Sequence, residues 1–259
     1  MKQILARANL PVLEQFAWSK VLVAFDFDGT LAPIVRDPNS ARLRSSTRTR
    51  LEKLAAAYPC AVISGRSRSD VAGRLVPIRL SGIVGNHGIE DKKGIAKYAS
   101  LVCGWATALR RDLAGVAGVV IEEKGASIAI HYRRARSRRE ALSAIERSVA
   151  DLEGSFRLIG GKLVVNVLPE GAPHKGIALR TLRARVGADT AIFIGDDVTD
   201  EDVFSMDEPG RLLSIRVGRS RSSAAAYYLP DQRDIDHLLD VLVRCGRERH
   251  EALRLERTK

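Results

Sequence analysis

The feature that most constrains this chain is a short apolar run that ends in two closely spaced acids. Residues 21–30 read Val-Leu-Val-Ala-Phe-Asp-Phe-Asp-Gly-Thr. Such a run is typical of a strand buried on both faces of a parallel sheet. Gly29 allows a sharp turn, so Asp26 and Asp28 would lie at the carboxyl end of the strand, where open α/β sheets bind ligands. Two neighbouring acids repel each other unless a cation or a shared proton compensates, although an isolated acid pair can also cap a turn.

Length and charge narrow the possibilities. The chain has 259 residues, which corresponds to one large domain or two modest ones. Its net charge of +11 favours anionic ligands. The basic residues gather at Arg42–Arg50, Arg133–Arg139 and Arg244–Lys259, which we interpret as solvated helix faces and a frayed tail. No zinc spacing and no basic stretch with interleaved aromatic residues favours nucleic acid, so no nucleic-acid partner is expected.

Cysteine usage and the first residues indicate the compartment. Cys60, Cys103 and Cys245 are far apart, a pattern that is typical of a reduced, cytosolic protein. Arg7 and Glu14 interrupt the apolar residues near the start, so no signal-peptide core is formed. No apolar run approaches the roughly 18 residues of a membrane span. We therefore expect a cytoplasmic protein without a membrane segment, and the sequence does not indicate an oligomeric state.

The order of predicted elements indicates two domains. After residue 21 strands and helices alternate as β-α-β-α-β, which predicts a parallel sheet with right-handed crossovers. The order then changes to helix, two strands, helix and two strands, the last two flanking Gly160-Gly161 as a two-glycine hairpin. The first pattern then returns and ends in a helix near 233–245. The sequence predicts an α/β fold with a Rossmann-like parallel-sheet core and an inserted α+β domain, divided as 1–96 with 171–259 and 97–170.

Polar residues with a common chemistry recur near the predicted strand ends. They are Asp26, Asp28, Ser64, Lys175, Asp196, Asp197 and Asp200. Carboxylates suit Mg²⁺, and a hydroxyl with a lysine suits the oxygens of a phosphoryl group. Taken singly, Ser64 is typical of a helix cap, Lys175 of a solvated surface and Asp200 of a helix start. Together they indicate phosphoryl transfer, and no P-loop or dinucleotide motif favours nucleotide binding.

The same residues carry a resemblance to a known family. D-F-D-G-T at 26–30, S-G-R at 64–66, Lys175 at a helix start and G-D-D-x-x-D at 195–200 resemble, in order, the four motifs of the haloacid dehalogenase superfamily. Within it the chain is most similar to the trehalose-6-phosphate phosphatases. The segments that carry this closer resemblance are Gly85–Gly88, Glu122–Gly125, His131–Arg133 and Gly195–Glu201.

The resemblance implies a haloacid dehalogenase-like fold with a mobile cap at 97–170 and a Mg²⁺-dependent hydrolysis of trehalose 6-phosphate. Asp26 would be the nucleophile that forms an aspartyl-phosphate, and Asp28 would act as general acid and then general base. Ser64 and Lys175 would bind phosphoryl oxygens. The implied metal ligands are Asp26, the backbone carbonyl of Asp28, and Asp196, with Asp197 or Asp200 completing or orienting the set.

The expected contacts to the sugar phosphate are Gly65, Arg66, Asn86, His87, Glu122, Lys124, His131, Arg133 and Asn166. For some of them a structural interpretation competes: Arg133 begins a run of surface arginines, His131 could be a half-buried histidine, and Glu122 and Lys124 could form a solvated turn.

One segment departs from the family pattern. Relatives usually carry a glutamate, an apolar residue, a basic residue and proline, where this chain has Asn166-Val167-Leu168-Pro169. Asn166 can hydrogen-bond a hydroxyl but supplies no carboxylate. Another substrate, such as a glucosylglycerate or sucrose phosphate, is therefore an alternative. A nucleic-acid-binding protein and a non-catalytic sugar-phosphate sensor are more distant alternatives, and the presence of both Asp26 and Asp28 argues against the sensor.

Overall fold

The computed structural model describes residues 1–89, 92–161 and 163–257. Its strands are β1 (Lys2–Gln3), β2 (Val21–Phe25), β3 (Cys60–Ile63), β4 (Gly82–Val84), β5 (Val120–Glu123), β6 (Ile128–His131), β7 (Phe156–Gly161), β8 (Val164–Pro169), β9 (Thr190–Gly195), β10 (Leu212–Val217) and β11 (Tyr227–Leu229). Its α-helices are α1 (Leu10–Trp18), α2 (Ser45–Ala57), α3 (Arg68–Leu75), α4 (Lys92–Asp112), α5 (Arg138–Ala150), α6 (Lys175–Arg185), α7 (Glu201–Phe204) and α8 (Ile235–Arg257). Lys259, the predicted end of the basic tail, lies outside the described residues.

The chain divides into two compact units. The first, which we call the core unit, consists of Met1–Gly88 together with the chain from Lys175 onward, and the second, the inserted unit, is Ile89–His174. The predicted inserted segment, 97–170, lies within the second of these. Each unit has a sheet of its own, parallel in the core unit and antiparallel in the inserted unit.

The sheet of the core unit has the order β1-β11-β10-β9-β2-β3-β4, and all of its described pairs are parallel. The chain moves outward from β2 through β3 to β4 on one side and from β9 through β10 to β11 on the other. The strand order therefore reverses between β2 and β9. In open α/β sheets the crevice at such a reversal, beyond the carboxyl ends of the strands, is the usual ligand site.

The central strands are buried on both faces, as their apolar sequence predicts. In β2, Val23 and Phe25 belong to the larger apolar cluster, which α1, α2, α3 and α8 complete, while Leu22 and Ala24 face the cluster formed with α6 and α7. The two clusters hold the sheet from opposite sides. The ends of the strands are thereby fixed, which is what a site built on them requires.

The inserted unit folds into a four-stranded antiparallel sheet of order β5-β6-β8-β7 with α4 and α5. Its core consists mainly of one face of this sheet and the apolar residues of the helices, among them Val102, Trp105 and Ile145. The position predicted for its second hairpin turn is wrong. Gly160 and Gly161 lie inside β7, where Gly161 pairs with Val164, so these glycines do not form the turn.

The C-terminal helix is longer than predicted. The sequence indicates an end near residue 245 followed by a frayed tail, but α8 continues to Arg257. Gly246 does not stop it because this glycine serves a close contact: a Cβ there would lie 2.8 Å from both Ala57 and Tyr58. Among the described helices none combines the length and the apolar character of a membrane span.

Candidate active site

Three carboxylates meet at the reversal point of the parallel sheet. Asp26 directly follows β2, and Asp196 directly follows β9; the two strands are neighbours, and the Asp26 amide donates to the Ile194 carbonyl at 2.8 Å. One carboxylate oxygen from each of Asp26, Asp196 and Asp200 lies within 4.8 Å of the others. The convergence of these acids from positions 170 residues apart was predicted from the strand ends, and the structure brings them together.

Lys175, the first residue of α6, is the cation of this cluster. Its Nζ lies 3.1 Å from Asp26 Oδ1 and 2.7 Å from Asp200 Oδ1, and its side chain is 1% exposed. It is therefore a buried residue with two carboxylate partners and not a solvated surface lysine. Burial alone would lower its pKa, but the charges of Asp200 and Asp26 outweigh burial and raise the pKa, so Lys175 is an ammonium at neutral pH.

Asp200 orients the other members and has little capacity left for a metal. Its Oδ1 accepts from Lys175, while its Oδ2 accepts from the backbone amides of Asp196 and Asp197 at 2.8 and 2.9 Å. These bonds fix the loop after β9. The exposed Asp197 takes part through its backbone and in the cap of the following turn. The role of Asp200 beside the metal ligands stays a prediction.

The turn after Asp28 supports the Asp196 carboxylate. Gly29 has φ +80°, and a Cβ on it would lie 2.0 Å from Asp196 Oδ2, so glycine is required both by the backbone and by the close approach of Asp196. Thr30, which is buried, donates from Oγ1 to Asp196 Oδ1 at 3.1 Å. Thr30 was not among the predicted site residues, although its position directly after the acid-glycine motif was a signal for it.

Burial and mutual repulsion shift the pKa values of two acids. Desolvation, followed by the charge of Asp200, raises the pKa of Asp196 to about 7. Desolvation also raises the pKa of Asp26 well above its ordinary value, although Lys175 opposes this. One ammonium therefore does not compensate the cluster. A divalent cation would favour both ionised carboxylates, and hard oxygen donors from Asp26 and Asp196 fit Mg²⁺.

The carboxylate of Asp28 is held by Arg66. The guanidinium binds it through two atoms, with Nε 2.5 Å from Oδ2 and Nη2 2.7 Å from Oδ1. Arg66 also contacts Asp70 at 2.8 Å and lies over the ring of Phe27. Arg66 was predicted to bind substrate; in the structure its contacts are to the predicted acid and base, which it holds in one orientation.

Ser64 and the residues after β4 form one compact group. Ser64 is 1% exposed, its amide donates to the Val84 carbonyl at 2.9 Å, and its carbonyl accepts from the amide of His87. Asn86 and His87 are buried and have φ values of +46° and +59°. A Cβ on Gly65 would lie 2.4 Å from the His87 ring. These predicted contact residues thus pack around Ser64 and shape its loop.

The predicted residues of the inserted unit share one face of its sheet. Glu122 pairs with Ala129, and Ala129 with Asn166, so these three positions lie in one row on the same face. His131, two residues from Ala129, points to this face as well, as predicted. Their neighbours Ile128, Ile130, Val165 and Val167 point to the opposite face and form the apolar core. We call the face of Glu122, Asn166 and His131 the polar face, although Ile159 and the buried Leu168 also lie on it.

Contacts on the polar face tie these side chains together. Glu122 Oε2 lies 2.9 Å from His131 Nε2 and 4.0 Å from Lys124 Nζ. Asn166 is buried and donates from Nδ2 to the Ile159 carbonyl at 3.3 Å. Arg133 follows two residues after His131, outside β6. An acid, an amide and bases on one sheet face can exchange hydrogen bonds with sugar hydroxyls.

Comparisons with known proteins agree with this arrangement. The trehalose-phosphate phosphatase of Mycolicibacterium paratuberculosis is 34% identical over 211 residues, which cover 75% of this chain and 53% of that protein. The chain thus spans about half the length of this curated relative. The C-terminal domain of C. albicans trehalose-6-phosphate phosphatase has the same fold, with a TM-score of 0.76, 23% identity and coverage of 94% of this chain and 98% of that one.

A haloacid dehalogenase-like hydrolase from Bacteroides thetaiotaomicron also shares the fold, with a TM-score of 0.61, 16% identity and coverage of 86% and 98%. The predicted fold class is thereby confirmed. Residues 24–232 match the family described as trehalose-phosphatase. This match contains the acid pair, Ser64, Lys175 and the late aspartates, and the chain belongs to the trehalose-phosphatase family.

Proposed function

We propose that this chain is a Mg²⁺-dependent phosphatase that hydrolyses trehalose 6-phosphate to trehalose and phosphate. The observation that supports this most strongly is the cluster of the buried Asp26, Lys175 and Asp200 with the half-buried Asp196, in a member of the trehalose-phosphatase family. The cluster combines a nucleophile, a fixed cation and a pair of hard oxygen donors. These are the parts that phosphoryl transfer uses.

In the proposed first step, Asp26 attacks phosphorus through a carboxylate oxygen. The bond between phosphorus and the sugar oxygen breaks, and Asp28, as a carboxylic acid, gives its proton to that oxygen. In the second step Asp28, now a carboxylate, accepts a proton from water, whose oxygen attacks the aspartyl-phosphate. Phosphate leaves and the Asp26 carboxylate is restored.

The remaining residues of the core unit would bind and orient the phosphoryl group. The Ser64 hydroxyl and the Lys175 ammonium would contact its oxygens, and Arg66 would hold Asp28 in place between the two proton transfers. Mg²⁺, held by Asp26, Asp196 and the carbonyl of Asp28, would supply positive charge to the phosphoryl oxygens. Asp197 and Asp200 would keep the loop that carries Asp196 in position.

For the sugar, we propose contacts from the polar face of the inserted unit. They are Glu122, Lys124, His131, Arg133 and Asn166, together with Gly65, Asn86 and His87 of the core unit. Asn166 supports a second candidate substrate class. Its amide lacks the charge of a glutamate, and Leu168 beside it lacks that of a base, so a glucosylglycerate or sucrose phosphate is the alternative.

A substrate panel tests the proposal. Purified protein with Mg²⁺ is assayed for phosphate release from trehalose 6-phosphate, sucrose 6-phosphate and glucosyl-3-phosphoglycerate. The proposal expects the highest kcat/KM for trehalose 6-phosphate and nearly complete loss of turnover in Asp26→Asn, because an amide is a poor nucleophile. Preferential turnover of another sugar phosphate would reject the substrate, and full activity of Asp26→Asn would reject the mechanism. The cytoplasmic location and the lack of nucleic-acid binding stay predictions.

A further inference from the structure

The turn that carries Gly29 and Thr30 is held from outside by a side chain far away in the sequence. Gln232 Nε2 donates to the carbonyl of Thr30 at 2.8 Å and to the carbonyl of Leu31 at 3.4 Å. Gln232 lies in the short helical turn Gln232–Asp234 that precedes α8. Resting on the proposed function, we propose that Gln232 is a positioning residue for the metal site, which fixes this turn so that it orients Asp196.

The turn has its own bonds, but they hold only its base. The Gly29 amide donates to the Ala32 carbonyl and the Ala32 amide to the Phe27 carbonyl, both at 2.8 Å. The carbonyls of Thr30 and Leu31 lie between these bonds, at the tip. Both residues are fully buried. A buried carbonyl without a hydrogen-bond donor costs free energy, and the side-chain amide of Gln232 supplies donors to both of these carbonyls.

From the tip, the effect reaches Asp196 by direct contact. The side chain of Thr30 donates to Asp196 Oδ1 at 3.1 Å, and the backbone carbonyl of the same residue accepts from Gln232. Gly29 leaves so little room that a Cβ would lie 2.0 Å from Asp196 Oδ2. A displacement of the turn by a few tenths of an ångström therefore either lengthens the Thr30 bond or presses on the carboxylate. Asp196 is the acid proposed to bind Mg²⁺.

Gln232 is itself fixed in orientation. Its Oε1 accepts from Arg44 Nη1 at 3.0 Å, and Arg44 also contacts Asp236 Oδ1 at 3.4 Å. Because the Arg44 contact requires an acceptor, the amide must direct its NH₂ group toward the carbonyls. A glutamate here would keep the bond to Arg44 and the size of the side chain. It would, however, turn an acceptor toward two carbonyl oxygens.

Calorimetric titration with Mg²⁺ tests the inference without requiring turnover. The proteins are the wild type, Gln232→Ala, Gln232→Glu, Thr30→Val, the double variant Gln232→Ala/Thr30→Val and Gln15→Ala, whose glutamine is exposed on α1. We expect both Gln232 variants to bind Mg²⁺ about tenfold more weakly, the usual effect of losing a group that orients a metal ligand. Gln15→Ala should bind as the wild type does. The KM for trehalose 6-phosphate at saturating Mg²⁺ should stay within about twofold of wild type.

The double variant shows whether Gln232 acts through Thr30. If it does, the combined loss of Mg²⁺ affinity is smaller than the product of the two single losses. Mg²⁺ affinity within twofold of wild type in both Gln232 variants would overturn the inference, as would full multiplication of the single effects. Binding of Mg²⁺ without hydrolysis of trehalose 6-phosphate would reject the proposed substrate and leave the inference to be judged on affinity. A wild type that binds no Mg²⁺ would overturn both.

Discussion

Replacing Lys175 with methionine should destabilise the metal-free protein strongly. The substitution keeps an unbranched side chain, one heavy atom shorter, and removes a charge that lies 3.1 Å from Asp26 and 2.7 Å from Asp200. With an effective dielectric constant of about 20, each contact corresponds to about 5 to 6 kcal/mol of Coulomb attraction. Desolvation of the three ions offsets much of this. The net expectation is a loss of about 3 to 5 kcal/mol in the free energy of unfolding, the usual effect of breaking a buried ion pair.

The loss should depend on pH in a defined direction. Without Lys175, the folded state raises the pKa values of Asp26 and Asp196 further, because burial and the repulsion by neighbouring acids are no longer opposed. A raised pKa in the folded state gives stability that is present at low pH and is lost as pH rises. The stability of the variant relative to wild type should therefore fall as pH rises, most clearly above about pH 7, where Asp196 of the wild type ionises. Adding Asp200→Asn should restore part of it, since one unpaired charge is removed.

Urea denaturation in EDTA measures these differences. Because the chain has two units, Trp105→Phe is used as background, so that Trp18 is the sole tryptophan and reports on the core unit. Arg180→Met is the matched control on the same helix: Arg180 lies 2.7 Å from Glu208 but is 56% exposed, and loss of such a pair costs only about 0 to 1 kcal/mol. Equal losses in the Lys175 and Arg180 variants would refute the role given to burial.

Three further predictions follow from other contacts. Gly29→Ala should abolish detectable Mg²⁺ binding in calorimetry, because the added Cβ would meet Asp196. Gly73 lies in a helix with open space around it, so Gly73→Ala should instead raise the free energy of unfolding by up to about 1 kcal/mol. Arg66→Met should lower kcat about 100-fold with little change in KM, because Asp28 loses its two-point contact; an unchanged kcat would refute this. For Asp236, burial would raise the pKa, but hydrogen bonds from Ser46 and Thr47 and the charge of Arg44 lower it. Its contribution is thus present above its ordinary pKa of 3.8 and is lost as pH falls through the lowered value, so Asp236→Asn should cost about 1 to 3 kcal/mol at pH 7 and much less near pH 2 in urea denaturation.

The elements that the sequence predicts well are those whose residues are determined by local burial. β2 is an apolar run because both of its faces are covered, and the acids after β2 and β9 converge because parallel strand ends share one edge. No such pattern marks β1, which has two residues and pairs at the edge of the sheet with β11. Short edge strands bury too little to leave a periodic signal.

Glycine is involved in both places where an element extends beyond its predicted end. A glycine is used either for a backbone conformation or for close packing, and the sequence does not distinguish them. Gly246 admits Ala57 and Tyr58 against α8, and Gly161 lies close to Val164 in a β pair. The left-handed residue of that hairpin is Leu163, with φ +64°, which no residue-type preference would indicate.

Long-range side-chain contacts were the least predictable part of the site. Arg66 reaches Asp28 from the neighbouring strand end, and Gln232 reaches the turn at Thr30 from the start of α8. Arginine and glutamine side chains can bind many kinds of hydrogen-bond partner, and the partner in a given protein depends on which segments the fold brings together. The sequence therefore indicates which residues can do chemistry, while the residues that hold them in place become visible only in three dimensions.

The electrostatics of the site connect its stability with its chemistry. Two buried carboxylates and the half-buried Asp196 lie around one ammonium, and the pKa values of Asp26 and Asp196 are raised. Without metal, these acids are therefore in a less favourable environment in the folded protein than in water. The packing of the two apolar clusters that fix β2 and β9 provides the free energy that offsets this cost. A divalent cation that binds only the folded arrangement would stabilise it by mass action. The same repulsion between acids that lowers stability without metal thus favours metal binding. Residues such as Gln232 would hold the metal ligands in a defined geometry.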